Sequence, residues 1–105
     1  MKRIAVLVSS SPTSDNARRA FTLAADLAEE GHKVTLALLE DATLAGTTAD
    51  LGLPVGKCES ILVLTSDLRL RGFDETSLIP GCAGGTYGDL VTLIMEGSDQ
   101  ALGAF

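Results

Sequence analysis

Several residue types are scarce in this 105-residue chain, and each scarcity excludes a class of protein. There is no tryptophan, one tyrosine and three phenylalanines, so aromatic platforms for flavin or nucleotide rings are few. Two cysteines and the single histidine, His32, cannot supply the four ligands of a structural zinc site. Two isolated cysteines also do not make a disulfide scaffold. We therefore expect no metal and no resident cofactor.

Positive charge is scarce as well. Eight Lys and Arg residues face 14 Asp and Glu residues, which gives a formal net charge of -6. Nucleic acids and anionic membranes attract basic proteins, so we expect neither as a partner. No apolar run reaches the roughly 18–20 residues of a membrane span, and no signal peptide is visible, so we expect a cytoplasmic protein.

Apolar runs alternate with helical patterns along the chain, and its length suits one domain over residues 1–105. The apolar runs predict strands at 4–8, 34–39 and 61–64. The glycine-rich segment 80–85 has room for a very short fourth strand, and residues 99–105 are expected to form a terminal strand. The 3.6-residue patterns predict a helix between Ser14 and Gly31 and another at 87–96, with short helices at 43–51 and 68–71. This alternation predicts an α/β fold, a three-layer αβα sandwich around a mainly parallel five-stranded sheet.

For the last helix, the pattern predicts four side chains that point inward: Leu90, Val91, Ile94 and Met95.

The loops that follow the strands form the working edge of such a sheet. In the first loop, residues 9–15, the hydroxyls of Ser10, Ser11, Thr13 and Ser14 precede a helix N-terminus. Backbone N–H groups and hydroxyls at that place can bind a small anion, a nucleotide or a flavin phosphate. The loop lacks the glycine that flavodoxin-type phosphate loops carry, so ordinary helix capping is the simpler interpretation.

Two arginines lie near the positive end of the same helix, which opposes the helix dipole. Arg18 and Arg19 either belong to a solvated face or an intersubunit ion pair, or they attract an anion together with the serine loop. After the third strand come Thr65, Ser66 and Asp67. They form a second polar loop, in which Asp67 is most simply a helix-capping carboxylate.

The cysteines are the candidate nucleophiles. Cys82 lies among glycines just before the last helix, where a helix N-terminus would favour the thiolate, although free cysteine is also a common buried apolar residue. Cys58 precedes the third strand, at the opposite end of the sheet. His32 also lies at that opposite end, which excludes a Ser-His-Asp hydrolase.

Taken in order, several short motifs resemble the DsrE/DsrF/TusD-like (DsrE-like) sulfur-relay family. The likeness covers nearly the whole chain and rests on Ser10-Ser11-Pro12, Ala20-Phe21-x-x-Ala24-x-x-Leu27, Gly31-His32, Arg71-Gly72, Gly88-Asp89-Leu90 and the terminal Phe105.

The resemblance implies a small αβα sandwich that assembles into trimers or hexamers, including heterohexamers with related subunits. It also implies transfer of sulfur as a cysteine persulfide between donor and acceptor proteins. In the sulfur-carrying members a cysteine ends the third strand, eight residues before the glycine of the Arg-Gly pair. Here that position holds Leu64.

We therefore expect a protein associated with intracellular sulfur relay, as a non-catalytic binding or oligomer-forming subunit with no self-contained enzymatic activity. One alternative is a persulfide carrier that uses Cys82. Another is small-anion, nucleotide or flavin binding at residues 9–15.

Overall fold

Strands and helices alternate in the computed structural model, which describes residues 2–104. The strands are β1 (Arg3–Val8), β2 (Lys33–Leu38), β3 (Ser60–Leu64), β4 (Cys82–Gly85) and β5 (Gln100–Ala104). The α-helices are α1 (Asp15–Glu29), α2 (Thr65–Leu70) and α3 (Tyr87–Met95), and two 3-10 helices span Glu40–Thr47 and Glu75–Ser77. Phe105, which the sequence places in the last strand, lies outside the described residues.

The strands form one sheet in the order β4-β3-β2-β1-β5, and every neighbouring pair is parallel. The α/β sandwich expected from the sequence is confirmed. The first three crossovers all move from β1 towards β4, whereas the last one returns past β1 to β5. Because such crossovers are right-handed, this reversal places α3 on the face opposite the other helices.

Each face of the sheet has its own apolar core. The larger core packs α1, the first 3-10 helix and α2 on one face, and its largest fully buried side chains include Leu36, Leu38 and Leu68. The smaller core joins Ala5, Leu7 and Ala37 of the sheet to one buried residue of α3, Leu90. The second face is therefore covered by a single nine-residue helix.

Helix α1 begins and ends as its sequence predicts. The Ser14 side chain accepts the N–H of Ala17 at the N-terminus. After the helix, Gly31 has φ +96°, a left-handed conformation in which an L side chain is strained. The side of α1 that faces the sheet carries the small buried side chains of Ala17, Ala20 and Ala24. These small side chains allow the helix to lie close to the strands. No helix within residues 2–104 combines the length and apolarity needed to cross a bilayer.

Two elements differ from the sequence prediction. The helix expected at 43–51 is a 3-10 helix that begins earlier, two residues after the end of β2, at Glu40–Thr47. In α3, Leu90, Leu93 and Ile94 face the sheet, so the predicted inward positions of Val91 and Met95 are wrong. The reason is rotation about the helix axis: both faces of α3 are apolar, and the sequence pattern does not say which one meets the sheet.

Strand β4 lies at the sheet edge and relies on glycine for close packing. A Cβ atom on Gly84 would lie 2.7 Å from Cγ2 of Thr65 and 2.9 Å from Cγ of Glu75. Thr65 has little room to turn away because it is buried and its hydroxyl donates to the Gly85 carbonyl oxygen at 3.0 Å. The packing between β4 and α2 therefore requires glycine at position 84.

The other edge strand, β5, is fixed at its start by an exposed ion pair. One carboxylate oxygen of Asp99 accepts the backbone N–H of Arg3 at 2.9 Å, and the other accepts its guanidinium at 3.1 Å. The backbone N–H of Arg3, followed by its side chain, holds the pKa of Asp99 below its usual range. The carboxylate thus aligns the ends of β1 and β5.

We predict that Gly84→Ala lowers the free energy of unfolding by about 1–3 kcal/mol, because the added methyl group overpacks Thr65 and Glu75. The matched control is Gly88→Ala in α3, where the nearest atom to the new Cβ is Oγ1 of Thr86 at 3.6 Å. This change is expected to leave stability unchanged or raise it by up to about 1 kcal/mol. Urea unfolding followed by circular dichroism measures both, and equal effects would contradict the packing described here.

We also predict that the difference in stability between wild type and Asp99→Asn depends on pH. The folded pKa of Asp99 is lowered, so its contribution is complete above the unfolded pKa of about 4 and is lost as pH falls through the folded value. Urea midpoints should therefore differ at pH 7 and converge near pH 2. Asp50→Asn, at another exposed carboxylate, is the control. A difference that stays constant with pH would contradict this role.

Candidate functional site

The carboxyl ends of the parallel strands bring most of the predicted site residues to one edge of the sheet. The loop of residues 9–14 follows β1, Leu39 and Glu40 follow β2, α2 begins directly after β3, and Thr86 follows β4. This edge is where ligands bind in open α/β sheets. Strand β2 lies between β1 and β3, so the serine loop and the start of α2 stand about 10 Å apart at the usual strand spacing.

In the first loop, hydroxyl groups bond to one another and to the backbone. The Ser14 hydroxyl accepts the N–H of Ala17 at 3.1 Å and donates to the carbonyl oxygen of Ser11 at 2.7 Å. The Ser10 hydroxyl accepts from Nδ2 of Asn16 at 3.2 Å. These bonds shape the turn and cap α1, which is the capping role weighed for this loop from the sequence.

The arginine pair, Arg18 and Arg19, lies near the start of α1, which directly follows this loop. The hydroxyl oxygens of Thr13 and Ser11 lie 3.2 Å apart. Arg18 forms an ion pair with Asp15 in the first turn of α1, and both side chains are exposed. Arg19 is also exposed. The Arg18–Asp15 pair places a carboxylate at the positive end of the helix, which offsets the unfavourable position of the arginine. Anion binding by Arg18 and Arg19 stays a prediction.

The second polar loop, Thr65 to Asp67, lies at the start of α2, and its first residue connects two strands. Thr65 is buried, and its hydroxyl bond to Gly85 links the ends of β3 and β4. Ser66, by contrast, is exposed.

The predicted capping role of Asp67 is wrong. Helix α2 begins at Thr65, directly after the strand, and has no side-chain cap. The Asp67 carboxylate instead accepts the backbone N–H of Glu40 at 2.8 Å. Glu40 has φ +48°, the left-handed conformation that a side chain disfavours. Asp67 therefore holds the strained corner where the chain leaves β2.

Arg71 completes this network, and sequence reasoning named it only as part of the family resemblance. Its Nε lies 3.0 Å and its Nη2 2.8 Å from Oδ1 of Asp41, and its Nη1 donates to the Asp67 carbonyl oxygen at 2.9 Å. The guanidinium therefore joins α2 to the first 3-10 helix. Arg71 and Asp41 are 30 residues apart in the chain, and no local pattern in the sequence indicates their contact.

Cys82 lies away from this edge. It begins β4, so about 10 Å of strand separates it from Gly85 at the carboxyl end. Its side chain packs against the larger core, and its Sγ lies 3.9 Å from where a Cβ on Gly46 would be. Burial raises the pKa of the Cys82 thiol, the reverse of the effect expected from a helix N-terminus. The reason is that Cys82 packs on one face of the sheet, whereas α3 packs on the other.

Cys58 and His32 also lie away from the carboxyl edge. Burial raises the pKa of the Cys58 thiol, which packs against the larger core before β3. Nδ1 of His32 accepts the backbone N–H of Lys2 at 3.2 Å, at the amino end of β1. Neither side chain approaches the serine loop, so the described part of the chain assembles no thiol–imidazole pair there. Leu64, at the position of the family cysteine, is the last residue of β3 and is 4% exposed.

The comparisons with known proteins support the fold. No family model and no curated protein matches the chain. Five chains of known structure do match, and one of them is the YchN protein from E. coli. It aligns with a TM-score of 0.85 and 20% sequence identity over 98% of this chain and 99% of its own. YchN has a DsrE-like fold, and this chain shares that fold along nearly its whole length.

Proposed function

We propose that this protein is a non-catalytic, oligomer-forming subunit of a DsrE-like assembly in a cytoplasmic sulfur-relay system. In this role it does not itself carry the sulfur. Its partners would be further copies of the chain or related subunits in a trimer or hexamer, together with a sulfur-donor or sulfur-acceptor protein. Neither nucleic acid nor a membrane is part of the proposal.

The observation that carries the proposal is the end of β3. A thiol there would stand at the carboxyl edge of the sheet, beside the N–H groups that begin α2. In this chain the position is filled by the aliphatic side chain of Leu64, which is buried. Leucine has no atom that can accept sulfur, so the fold is retained without the group that performs the family's chemistry.

The two cysteines present do not replace it. A sulfur carrier needs a thiolate that a partner's persulfide can reach. Cys82 and Cys58 both pack against the larger core, and burial raises the pKa of each thiol. Both effects disfavour attack on an external persulfide. Cys82 remains the alternative carrier, and the experiment below tests it directly.

The polar residues of the carboxyl edge support the same interpretation. Thr65, Asp67 and Arg71 make hydrogen bonds within the protein, and the serine loop bonds to itself and caps α1. In the described part of the chain, every buried side-chain nitrogen or oxygen has a hydrogen-bond partner within the protein. None of them needs a bound anion or flavin to supply one. These side chains therefore build the edge of the sheet.

Sulfur loading tests the proposal. The purified protein is treated with a small-molecule persulfide and its intact mass is measured. In a carrier, the protein thiolate attacks the outer sulfur of the donor, a protein persulfide forms and the donor thiolate leaves, so the mass rises by one sulfur atom. We predict no such gain in the wild type. A gain that disappears in Cys82→Ser but persists in Cys58→Ser would contradict the proposal and identify the carrier.

A gain of function gives the complementary prediction. Leu64→Cys places a thiol at the end of β3 beside the start of α2, where helix N–H groups favour the thiolate. Leu64 itself is buried, but cysteine is smaller than leucine and leaves a gap beside its sulfur at the carboxyl edge, so we predict that this variant gains one sulfur atom under the same conditions. Val63→Cys is the matched control, because Val63 is one residue earlier and is fully buried in the larger core. Equal loading of the two variants would show that position 64 has no special access to the donor.

A further inference from the structure

The second face of the sheet has an open groove beside α3. The helix runs back from Thr86 towards the amino end of β1, where its Glu96 carbonyl oxygen accepts from Arg3, and it leaves a corner of β2, β3 and β4 uncovered. The groove in this corner has a volume of about 220 Å³. It is mostly apolar with polar groups at its two ends, and its lining includes Thr35, Ser60, Leu62, Ala83, Asp89 and Leu93.

Two hydroxyl groups form the polar end of the groove at the amino side of the sheet. Thr35 and Ser60 are direct neighbours on β2 and β3, and their hydroxyl oxygens lie 3.0 Å apart. We call them the hydroxyl pair. One of the two donates to the other, so one hydroxyl hydrogen remains for a ligand. Strands inside a parallel sheet are normally apolar on both faces, so this end of the groove is adapted to a polar group.

A lysine stands beside the hydroxyl pair. Val34 points into the larger core, so its neighbours along β2, Lys33 and Thr35, point to the other face of the sheet. Lys33 is exposed and lies next to Arg3 of β1, whose guanidinium bonds to Asp99 at 3.1 Å. Within residues 2–104, Lys33 itself has no ion-pair partner. Its ammonium group is therefore available to an anion at the polar end of the groove.

We propose that this groove binds a small monocarboxylate with an apolar body. The carboxylate lies at Lys33 and the hydroxyl pair, where an ammonium group and a hydroxyl group donate hydrogen bonds to it. The apolar body packs against Leu62, Ala83 and Leu93. Two residues along a strand span about 7 Å, so the floor from Ser60 to Leu62 has room for one aromatic ring and its carboxylate.

Asp89, at the other end of the groove, limits the charge of the ligand. Its carboxylate accepts the N–H of Thr86 at 2.8 Å and lies near Gly85, at the carboxyl end of β4. A second anionic group on the ligand would approach this carboxylate, and like charges repel, so the groove selects a monoanion over a dianion. The groove is on a face of the sheet that the proposed function does not use, so ligand binding here is independent of sulfur loading.

Titration with 4-fluorobenzoate, followed by fluorine NMR, tests the proposal. We expect saturable binding to the wild type with a Kd on the order of a few millimolar, as suits a ligand of about ten non-hydrogen atoms. Lys33→Gln should weaken binding by at least about threefold, because the exposed ion pair with the carboxylate is lost. Lys57→Gln is the matched control, since Lys57 is an exposed lysine that pairs with Glu29 of α1. No saturable binding to the wild type, or equal losses in the two variants, would overturn the proposal.

Two further comparisons fix the ligand class and the place. The uncharged 4-fluorobenzamide should bind at least about threefold more weakly than the acid, and equal binding would overturn the anionic ligand. Ala83→Leu fills the apolar part of the groove and should abolish saturable binding. Thr35→Val, which keeps the shape of the side chain and removes one hydroxyl, should weaken binding without filling the groove. Wild-type affinity in both variants would overturn the site, whereas sulfur loading of the wild type would overturn only the proposed function.

Discussion

The direction of the connection between β4 and β5 is the constraint on which the rest of this structure depends. Strands β1 to β4 are laid down in order along the sheet, and their connecting segments share one face. Only the last crossover returns past β1, so one nine-residue helix, α3, covers the other face. A sheet of five strands is wider than one helix. The topology therefore gives the second face less helical cover than the first.

The carboxyl edge of the sheet follows from a second physical requirement, that polar groups at strand ends find partners. Thr65 ties β3 to β4, and Asp67 holds Glu40 in its left-handed conformation at the end of β2. Arg71 then joins α2 to the first 3-10 helix through Asp41. Leu64, the last residue of β3, is buried at the same edge, and these side chains stabilise the corners where the chain leaves the sheet.

The parts of the fold that the sequence predicts are those with a local cause. Continuous apolar runs predicted β1, β2 and β3, and alanines at helical spacing with Ser14 and Gly31 at the ends predicted α1. What failed depends on distant residues. The local sequence around Asp67 predicts a helix cap, but in the structure its carboxylate binds the backbone of Glu40, which is 27 residues away in the chain. The orientation of α3 is set by which of its two apolar faces meets Ala5 and Leu7, and no pattern within the helix decides that.

Hydrogen exchange at low and high protein concentration tests most directly whether this protein is the oligomer-forming subunit that we propose. Backbone amides of a helix exchange more slowly when the helix is held between two packed surfaces, because local opening then breaks more contacts. We predict that the peptides of at least one surface helix gain protection as concentration rises. Protection that is independent of concentration in every peptide would contradict the proposed oligomer.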